Sequence, residues 1–310
     1  MPDSAIRMSA PGIVVLLSRA VQKRTPASGD HRTAIPELTL HRRNRPTEVV
    51  HCLYTLGIAV TLQGGKHVVL GDNHLSYGPG QSLLTTIDLP VSYHITRATS
   101  AEPYLGVMLK IDPSLLIRVA SSLKKPRERK AAPEPFLIQR LDAPMLDTFH
   151  RLVLLLDEPP LIPQLSPLIQ HEILVRLLSG PHAPSLWRLV QAASPTKKIS
   201  EAVNWIRTHM GDEMRVDDLA TTANMSPTSF RQHFRKITGM SPVQFQKRLR
   251  LQEARQLMLE QNMSASSASA LVGYESASQF NREYKRLFGA PPLAEVRRIA
   301  FGERAQRAVP

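Results

Sequence analysis

Cysteine is almost missing from this chain. One thiol in 310 residues, Cys52, excludes an internal disulfide and any Cys-rich zinc site, and it suits a reducing cytoplasm. No apolar run approaches the roughly 18 to 20 residues of a membrane span. Ile13 to Leu17 is too short for the apolar part of a secretory leader, and Arg19, Lys23 and Arg24 follow it, so the chain reads as cytoplasmic, without a membrane partner. A glycine-rich phosphate loop is lacking, since Gly64-Gly65 and Gly78-Pro-Gly80 read as hairpin turns. His51, His67, His74 and His94 include no His-x-His pair followed by Glu, so no metal and no cofactor is expected. Cys52 follows His51 directly, but adjacent strand residues point to opposite faces, which leaves the thiol without an activating base. Acidic residues are scarce too: 26 Asp and Glu against 39 Lys and Arg give a net charge of +13, which favours a polyanionic partner such as nucleic acid.

The length suits two domains. Residues 1 to 195 carry 21 basic and 15 acidic side chains (net +6), and residues 196 to 310 carry 18 and 11 (net +7), so the charge is denser at the C-terminal end. The linker signal is Ser179-Gly-Pro-His-Ala-Pro-Ser185 with Ala193-Ser-Pro-Thr-Lys197. Upstream, Pro11 to Lys23 has helical spacing and Thr25 to Asp30 is a polar break. β-like runs then follow at Val49–Tyr54, Ile58–Leu62, Lys66–Leu70, Leu75–Tyr77, Gln81–Thr86, Val91–Thr96 and Leu105–Ile111. Their close spacing suggests a small barrel or sandwich rather than a parallel sheet. Pro144–Leu156 and Leu165–Leu178 are amphipathic helices, more apolar than their own domain needs, which suggests a homodimer interface. Lys124 to Lys130 is a basic run read as a solvated loop.

The densest signal is a repeat at an offset of 50 residues. Ser226, Phe230, Phe234, Arg235-Lys236, Ile237, Gly239 and Pro242 match Ser276, Phe280, Tyr284, Lys285-Arg286, Leu287, Gly289 and Pro292. Each copy opens on a serine cap, and Ser276 has Gln279 at the capping-box spacing. Each ends on a glycine that supplies a left-handed stop, and a proline then blocks continuation. At about 100° per residue, Phe230, Phe234 and Ile237 share one stripe while Thr228, Arg231, Gln232 and Arg235 share the opposite face. In the second copy that face holds Ser278, Asn281, Arg282 and Lys285, all residue types that pair with base edges or phosphates. Before each helix lies a shorter apolar-spaced one, Val216 to Met225 in the first copy; in the second the register slips to 49, Ala268 matching Leu219. Helix, tight turn, helix is the layout of a helix-turn-helix unit. Ser241 to Met258, with its own Ser241/Gln244 capping box, predicts one linking helix, and Ile199 to Met210 a leading one.

Val272-Gly-Tyr-Glu-Ser-Ala-Ser-Gln-Phe-Asn-Arg-Glu-Tyr-Lys-Arg-Leu-Phe-Gly-Ala-Pro-Pro292 resembles the signature of the AraC/XylS family of transcription regulators, over about residues 195 to 298. Residues 35 to 119, with Leu62-Gln-Gly-Gly-Lys66, Leu70-Gly-Asp72, Tyr77-Gly-Pro-Gly80 and Asp88-Leu-Pro90, resemble the cupin-type sensor of one branch. The implied fold is α+β in two domains: a cupin-like β-barrel with flanking helices, then an all-α double helix-turn-helix domain. The implied divisions are an extension over 1–34, a sensor and dimerisation domain over 35–190, a DNA-binding domain over 195–300 and a tail over 301–310. Recognition helices are expected at Pro227–Thr238 and Ala277–Phe288, with Thr228, Arg231, Gln232, Arg235, Ser278, Asn281, Arg282 and Lys285 facing DNA. The implied activity is non-enzymatic and effector-responsive, and activation and repression both stay open. The implied partners are double-stranded promoter DNA, a small-molecule effector, a second copy of the chain and RNA polymerase. Two alternatives stay open, a cupin-type enzyme fused to a DNA-binding domain and a barrel that only dimerises. One departure is Ala265-Ser-Ser-Ala-Ser269, where the family has larger aliphatic residues. Small side chains bury less area, so the second unit is expected to be the less stable.

Overall fold

The computed structural model describes residues 9–71, 73–125 and 136–307. Helix α1 (Ala10–Arg24) has Pro11 in its first turn and buries Ile13, Leu17 and Val21. Ten strands follow: β1 (Gly29–Arg32), β2 (Leu38–Arg43), β3 (Val50–Tyr54), β4 (Gly57–Gln63), β5 (Gly65–Leu70), β6 (Asn73–Tyr77), β7 (Gln81–Thr85), β8 (Leu89–Arg97), β9 (Tyr104–Lys110) and, later in the chain, β10 (Phe136–Arg140). They form two sheets, β1-β2-β9-β4-β7-β10 and β3-β8-β5-β6, in which every pairing described is antiparallel. This is the close-spaced β texture expected from the sequence. Helices α2 (Pro113–Ser122), α3 (Ala143–Leu154), α4 (Ile162–Ser179) and α5 (Ala183–Val190) flank the sheets. Leu38, Leu40, Val60, Val107 and Leu109 of the larger sheet bury together with Leu17, Val21, Phe149 and Val153 of α1 and α3, since period-two strands offer one apolar face to a helix stripe. No single helix among the described residues is long and apolar enough to cross a membrane.

Several elements differ from the sequence reading. β1 begins inside the segment read as a polar break; Gly-Asp-His-Arg has no apolar alternation, and the strand is held by pairing to β2 and by Asp30 bridging His41 and Arg43 at 2.7 and 2.6 Å. β2, β10, α2 and the helix over Pro292–Arg307 carried no expectation. β10 extends the larger sheet beside β7, and α2 is capped by Asp112, whose side chain accepts from the Ser114 backbone N–H at 2.8 Å. α5 starts within the expected linker: its proline sits in the first turn, where a missing N–H costs nothing, and Leu186 and Leu189 bury behind it. Residues 126–130 of the basic run lie outside the described residues.

The C-terminal part is all helix: α6 (Pro195–Thr208), α7 (Val216–Thr222), α8 (Pro227–Thr238), α9 (Pro242–Glu260), α10 (Ala265–Leu271), α11 (Ala277–Phe288) and α12 (Pro292–Arg307). α6 starts four residues before the expected Ile199, because the Ser194 hydroxyl accepts from the Thr196 N–H and so caps the helix there. The two helix-turn-helix units are α7–α8 and α10–α11, and α9 joins them. The turn in each unit carries one left-handed residue, Asn224 (φ 50°) and Gly273 (φ 86°), 49 positions apart as the register slip requires. Gly273 cannot be replaced without movement, since a Cβ there would lie 2.5 Å from the Gly211 carbonyl oxygen.

Candidate nucleic-acid interface

α8 and α11 begin and end as the sequence predicted. The Ser226 and Ser276 hydroxyls accept the N–H of Ser229 and Gln279, each at 3.3 Å, and Gly239 and Gly289 close the helices at φ 74° and 80°. The reciprocal half of the second capping box is not made, because the Gln279 amide turns along the helix to Glu283. The Ser241/Gln244 box of α9 is complete in both directions.

Burial divides each helix into two faces. Phe230, Phe234 and Ile237 on α8, and Phe280, Tyr284 and Phe288 on α11, are buried. Thr228, Arg231, Gln232 and Arg235 are exposed, and so are Ser278, Asn281, Arg282 and Lys285. Two polar, basic faces therefore stand clear of the protein, each on a helix fixed by an aromatic stripe. Lys236 and Arg286 in the last turn of each helix add positive charge that the sequence reading did not assign; the 50-residue match of Arg235-Lys236 to Lys285-Arg286 carried the signal.

Within the first unit, the Arg231 guanidinium donates to Asp217 of α7 at 2.8 Å, both side chains being more than half exposed. An exposed pair of this kind is weak and screened by salt, so Arg231 can exchange Asp217 for a phosphate or base at little cost. In the second unit, Glu283 accepts from Lys247 of α9 at 2.7 Å and from the Tyr274 hydroxyl at 2.8 Å. Burial alone would raise the Glu283 carboxyl, but donation from Lys247, Tyr274 and Gln279 outweighs it and holds the group below its ordinary value. A charged Glu283 pins the back of α11 to the linking helix.

The N-terminal sheets touch this domain directly. Gln252 of α9 donates to the Cys52 carbonyl at 3.2 Å, and Arg255 to the His51 carbonyl at 3.3 Å, on edge strand β3. His51 meets the Phe288 ring edge-on at 5.0 Å, and burial beside Arg255 and Arg248 lowers its pKa to about 4. Arg207 of α6 pairs with Asp88 at 3.1 Å beside a crevice of about 420 Å³ that Leu116, Leu189 and Lys197 also line. Arg298 of α12 pairs with Glu48. Burial pushes the Cys52 thiol up to about 12, so it stays protonated. His67, His74 and His94 gather on the smaller sheet, with His67 Nε2 3.3 Å from His74 Nδ1, yet no group of three or more His, Cys, Asp or Glu among the described residues is arranged to hold a metal ion.

Two family models match the chain: the AraC-type transcriptional regulator N-terminus over residues 34–185 and a helix-turn-helix domain over residues 219–298. The uncharacterized HTH-type transcriptional regulator YobQ of Bacillus subtilis is 29% identical over 91 residues, which is 29% of this chain and 38% of that protein. The chain thus matches well under two thirds of that relative. The HTH-type transcriptional regulator ExsA of Pseudomonas aeruginosa is 28% identical over 239 residues, covering 76% of this chain and 84% of ExsA. Among solved structures, unsaturated fatty acid-bound ToxT from Vibrio cholerae strain SCE256 superposes with a TM-score of 0.57 over 84% of this chain and 94% of its own, at 11% identity, which shows a shared fold.

Proposed function

The chain belongs to the AraC family of transcriptional regulators, and from that premise we propose that it binds promoter DNA sequence-specifically, with α8 and α11 entering successive major grooves. The observation that carries this reading is the pair of matching exposed polar faces on helices whose other side is locked by aromatics. Arg231 and Gln232, and in the second unit Asn281 and Arg282, are the candidates for base edges. Thr228, Arg235, Ser278 and Lys285 are placed for flanking bases or phosphates. α9 fixes the separation of the two helices, so their contacts fall about 10 to 10.5 base pairs apart.

The rest of the reading concerns control. The N-terminal sheets sense a small molecule and pass its state on through the β3 and α9 contacts at Cys52 and His51. Support for sensing comes from ToxT, a protein of the same fold that holds an unsaturated fatty acid. The chain works as a cytoplasmic homodimer that engages RNA polymerase. α4 supports dimerisation, because Leu165 and Leu168 remain exposed on it. No catalytic role is assigned to the sheets. Selection of bound fragments from random DNA by the purified full-length protein tests this function. Enrichment of a motif with two conserved blocks one helical turn apart is the expected result, and recovery of fragments without any shared motif would contradict it.

A further inference from the structure

The two helix-turn-helix units differ in charge at the point where each first helix opens. The first turn of α7 carries Asp217 and Asp218, whereas the first turn of α10 has no acidic residue. In the register that matches Leu219 to Ala268, Ser266 and Ser267 stand where α7 has its two aspartates. Both units build the helix, α10 on a Ser264 cap, so the fold does not require the carboxylates. Acid is also unfavourable there for a DNA-binding unit, because the first helix crosses the phosphate backbone and like charges repel.

Asp217 accepts from the outward guanidinium of Arg231, Nη2 to Oδ1 at 2.8 Å, and among the described residues that guanidinium has no other partner. Asp218, next in the chain and exposed, faces Arg215 at 3.9 Å. Arginine has five N–H donors and Asp217 takes one here, which leaves a pair for O6 and N7 of a guanine. Those acceptors are uncharged and leave the ion pair intact. A phosphate is different. Breaking a weak surface pair is cheap, but a phosphate that reaches Arg231 also comes up against Asp217 and Asp218. The counterpart of Arg231 in the second unit is Asn281, which carries no charge for a carboxylate to hold.

We propose that Asp217 is a positioning residue that sets sequence specificity in the first unit: it holds the Arg231 guanidinium for a guanine edge and keeps that cation from binding phosphate. This role rests on the DNA-binding reading above and adds to it the base that Arg231 reads and the residue that limits it to that base. The carboxylate lowers affinity for DNA in general and raises the ratio of specific to general binding, the quantity that counts when one site competes with many. Asp217 also favours the α7 dipole, a role that does not distinguish one base from another.

The test is binding of the full-length protein, by fluorescence anisotropy over a series of salt concentrations, to its selected duplex and to an unrelated one. The selected duplex is also made with each other base pair at the position where Arg231→Ala relaxes preference. Asp217→Asn is expected to bind the unrelated duplex about three- to tenfold tighter and to steepen its salt slope by about one, since Arg231 becomes one more phosphate contact. Preference for guanine at the Arg231 position should fall by about the same factor, with other positions unchanged. Asp217→Glu should keep the guanine preference, and in an Arg231→Ala background Asp217→Asn should no longer alter base preference. Should Asp217→Asn fail to fold by circular dichroism, Asp217→Ser replaces it, serine being the side chain of the second unit at this place. A base other than guanine at that position, unchanged guanine preference in the folded variant, equal loss of affinity for all duplexes, or the same change in preference without Arg231 would overturn the proposal. A selected motif that every variant reads alike rejects this role alone, whereas recovery of no shared motif rejects the wider DNA-binding reading and this role with it.

Discussion

The two helix-turn-helix units present similar outer faces and are held in different ways. In the first, the Phe230 and Phe234 rings meet tilted at 5.6 Å and Phe245 meets Phe234 edge-on at 5.5 Å, and their cluster runs on without a break through Ile199 and Leu189 into the core of the N-terminal sheets. In the second, Leu251, Ala254, Met258, Val272, Phe280, Tyr284 and Phe288 form a separate small core. Polar ties supplement it: Glu295 of α12 is buried and accepts from the Tyr284 hydroxyl at 3.0 Å and from Arg255 at 3.0 and 2.9 Å, while Arg255 also lies over the Phe288 ring at 5.2 Å. A repeat in sequence therefore repeats the surface and not the support. Apolar continuity ties the first unit rigidly to the sensor. The second meets the N-terminal sheets through hydrogen bonds from α9, the Arg298–Glu48 ion pair and the edge-on His51–Phe288 contact, which have geometry to lose and respond to pH and salt.

Cutting the apolar stripe of each unit breaks this contrast most directly. Phe234→Ala is expected to cost about 3 to 5 kcal/mol and to shift unfolding of the sensor with it, because one core serves both. Phe280→Ala should cost a similar amount but confine the loss of protection to α10, α11 and the end of α9; hydrogen exchange followed by peptide mass spectrometry separates the two patterns. Next comes Glu295→Ala, which takes the carboxylate from the half-buried Arg255 and the acceptor from the buried Tyr284 hydroxyl, and should cost about 3 kcal/mol. Denaturant titration would register that loss, and a change under about 1 kcal/mol would mean that apolar packing alone holds the second unit. Smaller again, Arg231→Ala should weaken specific DNA binding by about 1 to 3 kcal/mol and relax one base position. A uniform loss across sequences would instead make Arg231 a phosphate contact.

The smallest effect is of pH. His51 is kept neutral at the interface, with its pKa lowered from 6.5 to about 4 by burial and by Arg255 and Arg248. Its contribution to docking is present above pH 6.5 and is lost as pH falls towards about 4, since the undocked state takes up the proton first. Small-angle scattering should show the chain extending between those limits, and His51→Phe should flatten the transition. An unchanged profile in that variant would place the sensitivity elsewhere, for instance at buried His182, also lowered to about 4 by burial.

Legibility followed locality. Caps and stops are written within a few residues, so Pro227–Thr238 and Ala277–Phe288 were read to the residue, and so was the outer face of each helix. β1 escaped because its stability comes from β2 and Asp30 rather than from alternation. α5 escaped because proline in a first turn looks the same in a sequence as proline in a linker. Gln252 and Arg255 reach backbone carbonyls, acceptors that every residue supplies, so nothing in the sequence marked where the sensor sits on α9.

The account stands on both units reading DNA despite their different supports. Hydroxyl-radical footprinting of the full-length protein on a selected fragment, alongside the triple variant Ser278→Ala, Asn281→Ala, Arg282→Ala, tests that directly. Two protected patches about 10 to 10.5 base pairs apart are expected, with the variant losing one and keeping the other. A single patch, or two patches that the variant leaves unchanged, would contradict it.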